Sequence, residues 1–166
     1  MISKPPPSGK SEIDTWNQEL RFEVNNDVQI IDVPVSKSAI LNNYAKGKHA
    51  ARLCNAANDA GYFEFIVPPS LKDFKEVTIR FIPTTSGTFN YTVNMAYGAV
   101  GAAHNATTKT TSVTGATATD GKIMEMSITS LFTDQVPNDQ VGVEFVLDAL
   151  STTTEINLLS LFVKYI

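Results

Sequence analysis

From Tyr62 to its last residue the sequence alternates apolar and polar side chains in five short runs. That period of two constrains the fold more than any other feature. Phe63, Phe65 and Val67 share one parity, as do Val77, Ile79 and Phe81, and then Phe89, Tyr91, Val93 and Met95. Val141, Val143, Phe145 and Leu147 repeat the pattern, and Leu159, Leu161, Val163 and Tyr165 close it. Successive side chains of a strand point to opposite faces, so each run reads as a strand with one buried face. The inward parity predicts a core of Phe65, Ile79, Phe81, Phe89, Tyr91, Val143, Phe145, Leu161 and Val163.

Turn residues divide the rest. Glu19–Val24 and Gln29–Val35 read as strands split by Asn25-Asn26-Asp27. Between Ser36 and Ala57 no period holds; Ser38 is a plausible N-cap for one helical turn, and Gly47 interrupts anything longer. Tyr62–Val67 is a strand ended by Pro68-Pro69, Lys75–Ile82 and Thr88–Tyr97 form a hairpin, and Thr107–Val113 is a short strand. Ile123–Ile128, Gln140–Asp148 and Ile156–Ile166 complete the set. Many short strands with hardly a helix and no internal repeat predict an all-β chain, a single antiparallel β-sandwich of jelly-roll type. Pro5-Pro6-Pro7 and its neighbours favour an extended segment, so residues 1–15 read as a Pro-rich arm and 16–166 as the β-sandwich domain. Trp16 stands beside that arm, either closing the sandwich end or anchoring the arm in a partner.

Composition excludes several classes. The 166 residues suffice for one domain with its own core. Thirteen Lys/Arg against 17 Asp/Glu give a net charge of −4, without the basic stripe that nucleic-acid binding needs. Lys46, Lys48, His49 and Arg52 form the one basic cluster and read as a solvated loop face. Charged residues are 18% of the chain, and from Val77 onward Thr, Asn, Ser and Ala cover the polar parity instead. Such a surface suits solvated strand faces, and equally faces covered by identical neighbours. Met1-Ile2-Ser3-Lys4 leads into prolines without an apolar stretch, so neither a secretory leader nor a membrane span is expected. Cys54 has no partner cysteine and reads as a small buried thiol.

No catalytic or metal-binding set emerges, and no cofactor is expected. His49 and His104 lie apart in loops, no Gly-x-Ser-x-Gly elbow is present, and one cysteine with two separated histidines is a poor zinc set. Asp134, Asp139 and Asp148 lack the spacing of a calcium loop and read as turn formers. Glu64, Glu125 and Glu144 take outward strand positions with no partner visible. The sequons at Asn90 and Asn105 are not expected to carry sugar.

Five segments carry a resemblance: Tyr62 to Pro69 (YFEFIVPP), Val77 to Ile82 (VTIRFI), Gly87 to Val93 (GTFNYTV), Asp139 to Ala149 (DQVGVEFVLDA) and Leu158 to Tyr165 (LLSLFVKY). Over roughly residues 60–166 the chain resembles β-sandwich virion proteins of tailed phages and other prokaryotic viruses. It departs from them in places. Leu147-Asp148 stands where that group has Arg-Asp, Asp139-Gln140 where it has Gly-Asp, and Phe89 and Tyr91 where its hairpin carries Trp. The resemblance implies a non-catalytic structural protein of the virion (capsid surface, head fibre or tail appendage), working as a homo-oligomer, a trimer first, beside other virion proteins. The alternative is a carbohydrate-binding β-sandwich module that stacks glycans on exposed aromatics, with Tyr44, Tyr62 and Tyr97 as candidates. An accessory domain of a phage or cell-surface enzyme is a third reading.

Overall fold

The computed structural model describes residues 28–35, 41–43, 50–152 and 155–166. The 1–15 arm, Trp16, the Glu19–Val24 strand, Ser38, Tyr44 and the cluster Lys46, Lys48 and His49 lie outside these residues.

Among the described residues ten strands follow one another: β1 (Gln29–Pro34), β2 (Leu41–Asn43), β3 (Ala50–Cys54), β4 (Ala60–Ile66), β5 (Phe74–Pro83), β6 (Gly87–Gly98), β7 (Thr107–Ala118), β8 (Met124–Ser127), β9 (Gln140–Leu150) and β10 (Ile156–Tyr165). A 3-10 turn, Thr129–Leu131, follows β8. One sheet, sheet A, runs β2-β3-β10-β5-β8, with β1 also paired to β10, and sheet B runs β4-β9-β6-β7. All pairings are antiparallel. β3 with β10, β4 with β9, β5 with β8 and β6 with β7 are nested pairs dealt alternately to the two sheets, which is the jelly-roll order.

The parity read from the sequence sets the core. Phe65, Ile79, Phe81, Phe89, Tyr91, Val143, Phe145, Leu161 and Val163 are all buried in one cluster between the sheets. Phe81 of sheet A meets Phe89 of sheet B edge to face at 5.5 Å between ring centroids, and Tyr91 stacks on Phe145 at 5.5 Å. These are the separations at which aromatic pairs attract.

Four features depart from the sequence reading. The hairpin expected of Lys75–Ile82 and Thr88–Tyr97 does not form, because the chain crosses between the layers there: β5 pairs with β10 and β8 in sheet A, and β6 with β7 and β9 in sheet B. β10 does not keep one parity: Ile156 and Leu158 face inward, the register against β5 shifts between Leu158 and Ser160, and Leu161, Val163 and Tyr165 then face inward. Leu159, which shares the parity of Leu161 and Val163 in the sequence, sits at that irregularity and is only half-buried, because the extra residue moves it off the inward face. β7 runs five residues past the expected end at Val113. It continues because Gly115 adopts φ +73° and gives its N–H to Asn90 Oδ1, while the β6–β7 register shifts between Phe89 and Tyr91. Finally, Leu41 belongs to a strand rather than a helical turn, and the region without a period contains both β2 and β3.

Candidate functional site

The outward face of sheet B is assembled from four strands. In one row Tyr62 of β4 lies opposite Glu144 of β9, which lies opposite Asn94 of β6, which lies opposite Thr110 of β7. The adjacent row runs Glu64, Gly142, Ala96 and Thr108. All eight have the parity opposite to the core, so their side chains project away from it. The second row has almost no bulk at its centre, whereas the first carries a ring, a carboxylate and an amide. The result is an open trough of about 780 Å³ along the sheet surface, within the size range of small-ligand sites.

Its polar groups are tied together. Asn94 Nδ2 donates to Glu144 Oε2 at 2.9 Å, and Thr110 Oγ1 donates to Asn94 Oδ1 at 3.0 Å. The Tyr62 hydroxyl also donates to Glu144, and this bond, followed by the charge of Glu144, raises the Tyr62 pKa. At the far end of the face Gln140 Nε2 donates to Glu64 Oε1 at 2.9 Å. Glu64 and Glu144 therefore have partners that the sequence did not reveal. So does Glu125, paired with Arg80 at 2.9 Å on sheet A while the Arg80 guanidinium lies 4.0 Å over the Phe162 ring.

A second cluster borders the trough. Asp134 accepts hydrogen bonds from Lys109 Nζ, Thr133 Oγ1 and the Tyr97 hydroxyl. These donors, Lys109 first, hold its carboxyl down at about 2. Tyr97, expected as an exposed stacking ring, is 5% exposed, because its parity on β6 is the core one. Burial first, and then the bond to Asp134, raises its pKa. Of the three candidate aromatics only Tyr62 is described as exposed, at 44%. Tyr44 lies outside the described residues, so no flat aromatic platform is formed among those described.

Of the remaining residues singled out in the sequence, His104 lines the trough and others serve the fold. Asp139 accepts the Val136 N–H at 2.9 Å, closing its turn, and Asp148 accepts Thr92 Oγ1 at 2.8 Å. Cys54 is fully buried, and desolvation pushes its thiol up to about 12. Arg52 Nε donates to the Ala60 carbonyl at 2.9 Å, which bridges β3 to β4. Among the described residues no group of three or more His, Cys, Asp or Glu is placed to hold a metal ion.

Among the described residues β7 is one of the two outer strands of sheet B, β4 being the other. Its 12 residues carry one charge, Lys109, and its outward residues are Thr108, Thr110, Ser112 and Thr114.

The fold thus defines a two-sheet jelly-roll β-sandwich with an open polar trough on one outer face. Neither a protein-family model nor a curated protein matches the sequence. Among solved structures, the chain is similar to a family two carbohydrate esterase from Cellvibrio japonicus (12% identity, TM-score 0.46), covering 84% of this chain and 34% of that one. It is similar also to the CBM36-1 domain of a multidomain xylanase from the hindgut metagenome of Trinervitermes trinervoides (13% identity, TM-score 0.45, 82% of this chain and 96% of that one). A third is the CBM35 from Cellvibrio japonicus Abf62 (15% identity, TM-score 0.45, 82% and 92%). Likeness at this level carries no function from one chain to another.

Proposed function

We propose that this chain is a structural module of a virus particle, acting by symmetric self-association and by contact with other virion proteins. The observation that carries the proposal is the pairing of a nested jelly-roll scaffold, an architecture that serves capsids, with the long edge of β7, to which no further strand pairs among the described residues. An open strand of 12 residues with one charge is a template for pairing, and closed symmetry is one way to cover it. The uncharged outward residues of β7 point the same way. The role is mechanical rather than catalytic: paired strands form a rigid body, and Thr- and Ala-rich faces become subunit contacts. The test is native mass spectrometry of the full chain together with its detection in purified particles. A stable trimer found in particles is the expected result; a monomer at every concentration that is absent from particles overturns the proposal.

A second reading, a carbohydrate-binding β-sandwich module, is favoured by one observation: the trough on sheet B, with a single exposed tyrosine and a ladder of fixed hydrogen-bonding groups. Retention of the monomer on a polysaccharide column supports it; passage through unretained counts against it.

A further inference from the structure

We infer that the sheet B trough takes a neutral saccharide chain, with Gly142 as the opening in its floor; the inference rests on the carbohydrate-binding reading above. Gly142 is the point of departure, because the fold gives no reason for a glycine there. It occupies an inner strand, paired with Glu64 on one side and Ala96 on the other. Its backbone is not in the left-handed region, unlike Gly101, Gly115 and Gly121. A Cβ built on it would meet only the Ala96 carbonyl oxygen, at 3.9 Å, an ordinary contact. Glycine weakens a strand interior, and where it is not needed for a bulge or a bend it marks a close approach by something else. Gly61 on β4 is the contrast: its Cβ would fall 2.5 Å from Leu158 Cδ1, so packing inside the sandwich accounts for it. At Gly142 the free space lies outside, over the trough.

The walls define what would enter. Tyr62, half out of the surface, offers a ring face of the kind that sugars stack on. Glu144 and Asn94 are held by each other and by Tyr62 and Thr110, yet each keeps hydrogen-bonding capacity: the carboxylate has further lone pairs and the amide a second N–H. Fixed acceptors and donors side by side suit vicinal hydroxyls. The charge is one-sided. Glu64 and Glu144 both line the trough, while the ammonium of Lys109 is turned to Asp134 and Thr133. An acidic saccharide would meet two like charges there, and the neighbouring cations among the described residues, Lys109 and Arg52, are engaged with Asp134 and the Ala60 carbonyl.

The test is titration calorimetry of the full chain at neutral pH. The ligands are neutral hexasaccharides of β-1,4-linked glucose, xylose, mannose and N-acetylglucosamine, with hexagalacturonate as the acidic probe. At least one neutral chain should bind with micromolar to millimolar affinity, and hexagalacturonate should not. Gly142→Val, whose Cβ the fold accommodates, should weaken binding at least tenfold while leaving the unfolding temperature in place. Tyr62→Ala, an exposed change, should weaken it as well. Binding of a neutral chain that neither substitution alters overturns the trough assignment while leaving the carbohydrate reading intact. Hexagalacturonate bound as tightly as the neutral chains overturns the charge selection alone. No saccharide binding at millimolar concentration overturns both the inference and the reading beneath it.

Discussion

Replacing Phe145 by Ala tests the register on which the whole architecture depends. Phe145 is fully buried on β9, paired laterally with Gly61 and Val93, and its ring lies 5.5 Å from Tyr91 at an interplanar angle of 25°. Gly61 contributes no side chain beside it, so no neighbour on β4 can expand into the space the ring leaves. The cost should therefore fall in the usual range for Phe to Ala in a core, about 3–5 kcal/mol. A domain this size has a total stability of about 5–15 kcal/mol, so the variant stays folded in water but close to its threshold. Its unfolding temperature should drop by roughly 6–20 °C, at about 2–4 °C per kcal/mol for a chain of this length. Urea unfolding followed by circular dichroism, with the slope unchanged, measures the difference. Val146, the next residue, points to the opposite face. Val146→Ala should cost clearly less. If Phe145→Ala costs under about 1 kcal/mol, or Val146→Ala costs as much, β9 is shifted by one residue and the core is inverted.

Gly61→Ala should destabilise by about 1–3 kcal/mol through overpacking against Leu158, whereas Gly142→Ala should be neutral or stabilising; paired urea titrations separate the two. Asp134 has a folded pKa near 2 against an ordinary 3.8, so its contribution is in place above about pH 4 and is lost as pH falls through about 2. Carboxyl-carbon NMR should show its midpoint near 2, and Lys109→Ala should raise that midpoint. Cys54 should resist alkylation by iodoacetamide at pH 8 in the folded chain and react once denaturant is added, because burial holds its thiol at about 12. Rapid labelling without denaturant would show that β3 opens.

The sandwich was legible because its central strands obey one period: Val141 to Leu147 and Phe89 to Met95 bury every second residue without exception. The sequence became opaque where backbone irregularities break the period. In β3 Ala51 and Cys54 are the buried pair, three apart, and in β10 the irregularity after Leu158 exchanges the roles of Leu158 and Leu159. The strand read as Thr107–Val113 runs on to Ala118 because Gly115 carries β7 onward in a left-handed conformation. Tyr97 was misread against a signal that was present: the strand Thr88–Tyr97 puts it on the same parity as Phe89 to Met95, which is the core one. The trough could not be read locally, since its residues come from four strands and meet only through register. One signal was available: a glycine inside Val141-Gly142-Val143-Glu144-Phe145, where a strand has no use for one.

The nesting of the strand pairs has a consequence for how the chain folds. β6 and β7 join neighbouring segments, β5 and β8 enclose them, β4 and β9 enclose those, and β3 and β10 come last. Closing Cys54 onto Ile156 from an open chain means closing a loop of about 100 residues; once β4 and β9 are paired, only about 15 free residues intervene. The entropy of loop closure falls by about 1.5–2 kcal/mol between those cases, a rate factor of more than ten. Zippering outward from the β6–β7 hairpin is thus the fast route. Substitutions in that hairpin should slow refolding, whereas those in β3 should chiefly speed unfolding.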